Sequence, residues 1–105
     1  MVGRIECYIH SDNITKNKGA CVVKVSTQTD FATKGDEFIE FCKECAKFTY
    51  AAQSEYWCDV IEIFPFLEDK RKTLIKELKE EIIIEQIKLF GFDTPIITRE
   101  KSGIR

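Results

Sequence analysis

Hydrophobic and polar residues alternate near the start of the chain, where Ile5, Cys7 and Ile9 are separated by polar side chains. Residues 20–25 form a second apolar, strand-like run. The segment between them is rich in Ser, Asp, Asn and Lys and ends at Gly19, which is the natural place for a positive φ. The pattern therefore predicts a β-hairpin.

Between residues 37 and 52 the apolar positions recur at intervals of three and four, which is typical of an amphipathic helix. Asp36 is the predicted N-cap, and the polar pair Gln53-Ser54 is expected to end the helix. The buried stripe is predicted to consist of Phe38, Phe41, Cys42, Cys45, Ala46, Thr49 and Ala52.

Residues 56–66 are apolar and aromatic but have no clean period, and Pro65 opposes regular structure at its own position. Their aromatic side chains either cover the core, which we favour, or form an exposed patch for a partner. These side chains are Trp57, Phe64 and Phe66.

From Glu68 the sequence is rich in charge, with Leu74, Ile75 and Leu78 on one face, and predicts a second amphipathic helix. Its end is ambiguous. Periodicity alone would carry it to residue 90, whereas three consecutive Ile residues at 82–84 favour a strand that Ile87 and Leu89 would extend.

One segment between the hairpin and the first helix resembles a known signature. Residues 23–38 read Val-Lys-Val-Ser-Thr-Gln-Thr-Asp-Phe-Ala-Thr-Lys-Gly-Asp-Glu-Phe, which is similar to the strand and Thr-Asp-Phe-Val-Ala-Lys/Arg-Asn run of bacterial and organellar elongation factor Ts. The resemblance extends over roughly residues 3 to 93. It includes Gly19, Ala51-Ala52-Gln53-Ser54-Glu55-Tyr56, the run from Leu67 to Ile75, and Glu80-Glu81-Ile82-Ile83-Ile84.

The resemblance favours the strand at residues 82–89 over a longer helix. We therefore predict an α+β fold of two layers, in which a three-stranded antiparallel sheet carries two main helices on one face. Residues 1–93 would form a core subdomain like that of elongation factor Ts, and residues 94–105, with Pro95 and a basic end, an exit and tail.

The resemblance also implies a partner and a set of contacts. In this family an Asp-Phe pair enters the nucleotide-binding domain of elongation factor Tu, where the Phe separates two helices and displaces the groups that hold Mg²⁺ and phosphate. If these roles are carried over to this chain, Phe31 would be the wedge and Thr29 would fix the turn. Asp30 would orient itself in the partner and form hydrogen bonds there. Gln28 and Lys34 would be supporting contacts. The alternative is that Phe31 packs under its own helix.

Several positions depart from the family pattern, and put full activity in question. The sequence has Ser26, Ala32 and Gly35 where the family prefers Asn, Val and Asn, and Glu85-Gln86 where it has paired Arg residues. On the resemblance, the chain is expected to hold only the first half of the family's core, without its N-terminal helical module or second half. A weaker complex, or a homodimer through the exposed sheet edge, is expected.

Composition narrows the function classes. The 105 residues include 16 basic and 18 acidic side chains, a net charge of −2, which offers no strong field to nucleic acid or an anionic membrane. With no apolar run of membrane-spanning length and no secretory pattern, a cytoplasmic protein is expected. The five cysteines then indicate reduced thiols rather than disulfides.

Nothing in the sequence predicts an active site or a cofactor, since there is one His and no Gly-rich phosphate loop. An enzyme is one alternative. A metal or thiol protein built on Cys42 and Cys45 is another, although both lie in the predicted buried stripe and a zinc site would need Cys7, Cys58 or His10 as well. A third is a module that binds elongation factor Tu without exchange, to sequester or redirect it, as a phage could encode.

Overall fold

The computed structural model describes residues 1–92 and shows the predicted α+β fold, a three-stranded antiparallel sheet of order β1-β2-β3 with helices packed against it. Its elements are β1 (Val2–His10), β2 (Gly19–Thr27), α1 (Asp30–Thr33), α2 (Asp36–Ala52), α3 (Trp57–Ile63), α4 (Phe66–Leu78) and β3 (Ile83–Gly91). The predicted tail, with Pro95 and the boundary at residue 93, lies outside the described residues.

The core lies between the central strand β2 and helix α2. Cys21, Val23 and Val25 alternate along β2 and are fully buried against the helices. In the antiparallel register Cys21 is opposite Leu89 and Val23 is opposite Ile87, so β3 adds its buried side chains to the same face. This confirms the predicted contribution of β3 to the sheet.

Ile5, Cys7 and Ile9 of β1 lie on the face of the sheet that the helices do not cover. Ile5 and Ile9 are 67% and 57% exposed. Because paired residues of antiparallel strands share a face, Tyr8 opposite Cys21 belongs to the helix side, whereas Ile5 opposite Lys24 belongs to the open side. The period-two pattern thus identified the strand, whereas the register of β1 with β2 determines which set of its side chains the helices cover.

The hairpin turn differs from the expectation at Gly19. The positive φ is at Asn17, with a value of 53°, and Gly19 is the first residue of β2. Glycine at 19 leaves room for Tyr50: a Cβ there would lie 2.3 Å from the Tyr50 hydroxyl oxygen, so a larger residue would require the ring to shift. The ring of Tyr50 stacks on His10 at 4.9 Å between centroids, which places it against this end of the hairpin.

Helix α2 begins one residue earlier than predicted, so Asp36 is its first residue and not its N-cap. Gly35 holds the N-cap position in extended conformation and supplies no side-chain bond. The carboxylates of Asp36 and Glu37 therefore stand in the first turn, where they complement the helix dipole. The helix ends as predicted at Gln53, whose φ of 55° is left-handed. Its predicted stripe is buried except for Ala52, which is half-buried.

Helix α3 was not predicted. Residues 57–63 form a two-turn helix in the segment that has no clean apolar period, and Pro65 begins α4 at its N-cap. Proline is compatible with a helix start because no N–H is needed there. Trp57, Phe64 and Phe66 pack against the core, as favoured above.

Strand β3 begins at Ile83, one residue after the predicted start. Ile82 is fully buried just before it, and its carbonyl accepts a hydrogen bond of 2.6 Å from Arg71 Nη1 on α4. A bulge beside Lys24 and Val25 leaves Glu85 as the extra residue of β3. Ser26 Oγ donates to Glu85 Oε1 at 2.6 Å.

The cysteines divide into two exposed and three buried thiols. Cys42 and Cys45 lie in the core, as predicted, together with Cys21, whereas Cys7 and Cys58 are exposed. Within residues 1–92, no group of three His, Cys, Asp or Glu side chains is placed to hold a metal ion. No helix in the described part of the chain is long and apolar enough to cross a membrane.

This division predicts thiol reactivity. Burial raises the pKa of Cys21 and of Cys42 to about 12 and raises that of Cys45 further, so almost no thiolate is available at neutral pH. We expect Ellman's reagent to modify two thiols promptly in the folded protein and the other three only in denaturant. Cys7→Ser, the control, should remove one fast equivalent. A fast reaction at Cys45 in the folded state would contradict the packing.

Candidate partner-binding site

Helix α1 is a single turn that follows the end of β2. Thr29 is its N-cap, in extended conformation, and its Oγ1 accepts a hydrogen bond of 3.4 Å from the Ala32 N–H. The Thr33 hydroxyl donates to the Asp30 carbonyl at 2.7 Å. The turn is thus closed by hydroxyl groups at both ends.

Adjacent residues of α1 face opposite directions. Ala32 is buried, whereas Phe31 is 88% exposed. The alternative that Phe31 packs under its own helix is therefore wrong. Asp30 and Lys34 are also exposed, so this end of the molecule presents an aromatic ring together with an acidic and a basic side chain.

The connection between β2 and α1 is held by Glu80, which follows α4. Glu80 Oε1 accepts hydrogen bonds from Thr27 Oγ1 at 2.9 Å, Gln28 N at 3.1 Å and Thr29 N at 2.9 Å. Its other oxygen, Oε2, accepts from Thr29 Oγ1 at 2.5 Å. One carboxylate thus satisfies four donors on three consecutive residues.

Gln28 returns a bond to the same segment. Its side-chain Oε1 accepts from the Glu81 N–H at 3.2 Å. The two connections, from β2 to α1 and from α4 to β3, are therefore bonded to each other in both directions. We refer to Thr27, Gln28, Thr29, Glu80 and Glu81 together as the clamp.

The electrostatics of the clamp favour an ionised Glu80. The hydrogen bond from the Thr29 side chain is the largest cause, with further bonds from Thr27 and the two backbone N–H groups, and together they lower the pKa of Glu80 below its ordinary value. The stabilisation that the ionised Glu80 gives to the folded state is therefore fully present above the ordinary pKa of a Glu side chain. It is lost as the pH falls through the lowered pKa.

Comparison with known proteins identifies the relatives of this chain. It is 32% identical over 76 residues to "Elongation factor Ts, mitochondrial 2" of Paramecium tetraurelia, an alignment that covers 72% of the chain and 25% of that protein. It is 33% identical over 89 residues to elongation factor Ts of Nautilia profundicola, covering 81% and 27%, and 31% identical over 90 residues to that of Alkaliphilus oremlandii, covering 81% and 39%. The chain is a distant homologue of elongation factor Ts. No family model matches it.

The chain spans a quarter to two fifths of the length of these elongation factor Ts proteins. The residues quoted for the resemblance to elongation factor Ts lie in the sheet, α2, α4 and α1. Ser26 and Glu85, two departures from the elongation factor Ts pattern, bond to each other across β2 and β3.

The structure brings the residues expected from the elongation factor Ts signature to one end of the sheet. Thr29, Asp30, Phe31 and Lys34 are exposed on or beside α1, and Gln28 is exposed while its side chain reaches the Glu81 backbone. Sequence reasoning missed Glu80. The only sign of Glu80 in the sequence was that residues 80–84 are part of the resemblance to elongation factor Ts, which indicated a strand there but no role for this side chain.

Proposed function

We propose that this chain binds elongation factor Tu through the α1 turn and promotes exchange of its bound GDP for GTP. The observation that carries the proposal is the Phe31 ring, exposed on a turn that the clamp and the buried Ala32 hold in place. A large exposed aromatic side chain is a typical anchor, because it gains much apolar burial on binding at a low cost in rotamer entropy.

The exchange mechanism follows from the demands of the Mg²⁺ ion in the partner. Mg²⁺ needs nearly ideal octahedral geometry, so a small displacement of its protein ligands costs much of the nucleotide binding energy. Phe31 gains burial only in the displaced state of the partner and so stabilises that state. Because the coupling is reciprocal, bound nucleotide weakens the grip of this chain by the same factor. The protein thus makes and breaks no covalent bond.

Each signature residue has a distinct role in this proposal. Asp30 lies in the first turn of α1, next to the ring, and bonds to donors in the partner as the ring enters. Thr29 caps the turn and fixes the direction of Phe31. Lys34, exposed at the C-cap, adds a rim contact of small energetic weight.

The exchange assay tests the proposal directly. Elongation factor Tu loaded with fluorescent GDP is mixed with excess unlabelled GDP and increasing amounts of this chain. We expect the release rate to rise with its concentration. Because the chain spans a minor part of its relatives, we expect a higher half-maximal concentration than full-length elongation factor Ts needs. An unchanged release rate at micromolar concentrations would refute the exchange activity.

The departures from the elongation factor Ts pattern at Ser26, Ala32 and Gly35 favour a second candidate, a module that binds elongation factor Tu without exchange. Co-purification with elongation factor Tu at an unchanged GDP release rate would select this function. In either case the protein would act in the compartment that holds its partner, in the cytoplasm or a mitochondrion.

The homodimer expected through the sheet edge stays a prediction. In the sheet formed by the described residues, both β1 and β3 are edge strands. At β3 the Leu89 N–H donates to Glu55 Oε2 at 2.8 Å, which occupies one edge donor with a side chain. The edge of β1 is therefore the expected dimer contact, and light scattering measures whether the mass in solution is that of one chain or of two.

A further inference from the structure

We infer that Glu80 is a positioning residue for partner binding: through the clamp it holds the α1 turn in the orientation that presents Phe31. This inference rests on the proposed function, and gives Gln28 a role within the clamp as well. No side-chain contact of Glu80 with the partner is required.

The need for such a residue follows from the exposure of Phe31. A buried side chain is held by its neighbours, but a ring that is mostly in solvent has its direction set by its backbone alone. A helix of four residues is not stable by itself, because nucleation of the first turn is unfavourable. The orientation of α1 therefore depends on anchors outside it. They include the buried Ala32, the connection to α2 that follows the turn, and the hydrogen bonds that precede it at Thr27, Gln28 and Thr29.

Glu80 is suited to this role because its own backbone is fixed. The preceding residue, Lys79, ends α4 in left-handed conformation with a φ of 57°, and its N–H donates to the Ile75 carbonyl at 2.9 Å. Two residues further on, Ile82 is fully buried and bonded to Arg71. The carboxylate is thus attached to the core at both sides.

The expected effect is on the cost of ordering the turn. While the clamp is intact, the turn is ordered before the partner arrives, and binding need not supply that free energy. Without the carboxylate, the N–H groups of Gln28 and Thr29 and two hydroxyls lose their acceptor. We expect Glu80→Ala to weaken binding to elongation factor Tu by about tenfold, which is of the order of the cost of ordering one or two side chains on binding.

The first test needs no partner. Amide hydrogen exchange is measured at Gln28 and Thr29 in the free protein for wild type, Glu80→Ala and Glu80→Gln. Protection at these two amides should fall at least severalfold in Glu80→Ala, with a smaller loss in Glu80→Gln, which keeps one acceptor oxygen. Amides of the central strand β2 should be unchanged, which shows that the variants are folded. The matched control is Glu81→Ala, since the clamp uses only the backbone of Glu81.

The second test separates positioning from a merely structural role. Affinity for elongation factor Tu is measured for Glu80→Ala in the wild-type background and in a Phe31→Leu background, where residual binding remains measurable. If Glu80 acts through the ring, its loss should cost about tenfold in the first background and clearly less in the second.

Two results would overturn the inference: unchanged protection at Gln28 and Thr29 in Glu80→Ala, or equal losses of affinity in both backgrounds. Failure of the proposed function looks different. In that case wild type does not bind elongation factor Tu at all, while the exchange measurement still decides whether Glu80 orders the turn.

Discussion

Replacing Phe31 with alanine is expected to remove most of the binding to elongation factor Tu while leaving the protein folded. The ring is 88% exposed, so its loss removes almost no internal packing. As a central aromatic anchor it should contribute about 2–4 kcal/mol to the complex, which corresponds to a roughly 30- to 700-fold loss of affinity. Acceleration of GDP release should fall in parallel. Affinity is measured by titration calorimetry and release by fluorescence, with the free energy of unfolding from urea titration.

The control for this prediction is Phe92→Ala. Phe92 is 92% exposed, so the two substitutions remove the same group from equally open surroundings. We expect Phe92→Ala to leave affinity and exchange rate unchanged, and both variants to keep the wild-type free energy of unfolding within about 0.5 kcal/mol. Equal losses of affinity in the two variants would mean that general surface hydrophobicity, and not the α1 turn, drives association.

The second large effect is expected in the core, for Phe41→Ala. Phe41 is 2% exposed and lies on the α2 stripe, where it also lines the groove between α2 and α4 with Phe66 and Leu74. Removing a buried ring costs its transfer free energy and leaves a cavity, together about 3–5 kcal/mol. Since small domains are stable by only about 5–15 kcal/mol, the variant should unfold at much lower urea. Far-ultraviolet circular dichroism measures the shift.

Together, Phe31→Ala and Phe41→Ala test whether Phe31 is an exposed binding residue and Phe41 a buried core residue. The first should change binding with stability preserved, and the second should change stability, with binding lost only in proportion to the unfolded fraction. A loss of less than about 1 kcal/mol for Phe41→Ala would contradict its place in the core.

The elements that could be predicted from the sequence were those with a strong period of their own. The α2 stripe from Phe38 to Thr49 recurs over about three turns, and its burial follows from that repeat. The α4 pattern around Leu74 is shorter but carries the same signal. Both helices begin earlier than predicted, because Gly35 and Pro65 adopt N-cap conformations that the apolar pattern does not encode.

The features that could not be predicted depend on neighbours distant in sequence. Which face of β1 is covered depends on its register with β2, and a period of two is satisfied equally by either choice. Helix α3 has too few turns to establish a period, and packs by irregular contacts of Trp57 and Val60. Glu80 joins residues 51 to 53 positions away, and no local pattern of a single chain indicates such a bond.

The open side of the sheet, where Ile5 and Ile9 lie, is distinct from the turn that carries Phe31. Within residues 1–92 the helices shield only the opposite side, so this part of the chain is a half-sandwich whose open side is available for a further layer of polypeptide. Adding that layer would leave the aromatic tip unobstructed. A fused domain, or an enlargement in evolution, on the open side of the sheet is thus compatible with binding of a partner through Phe31.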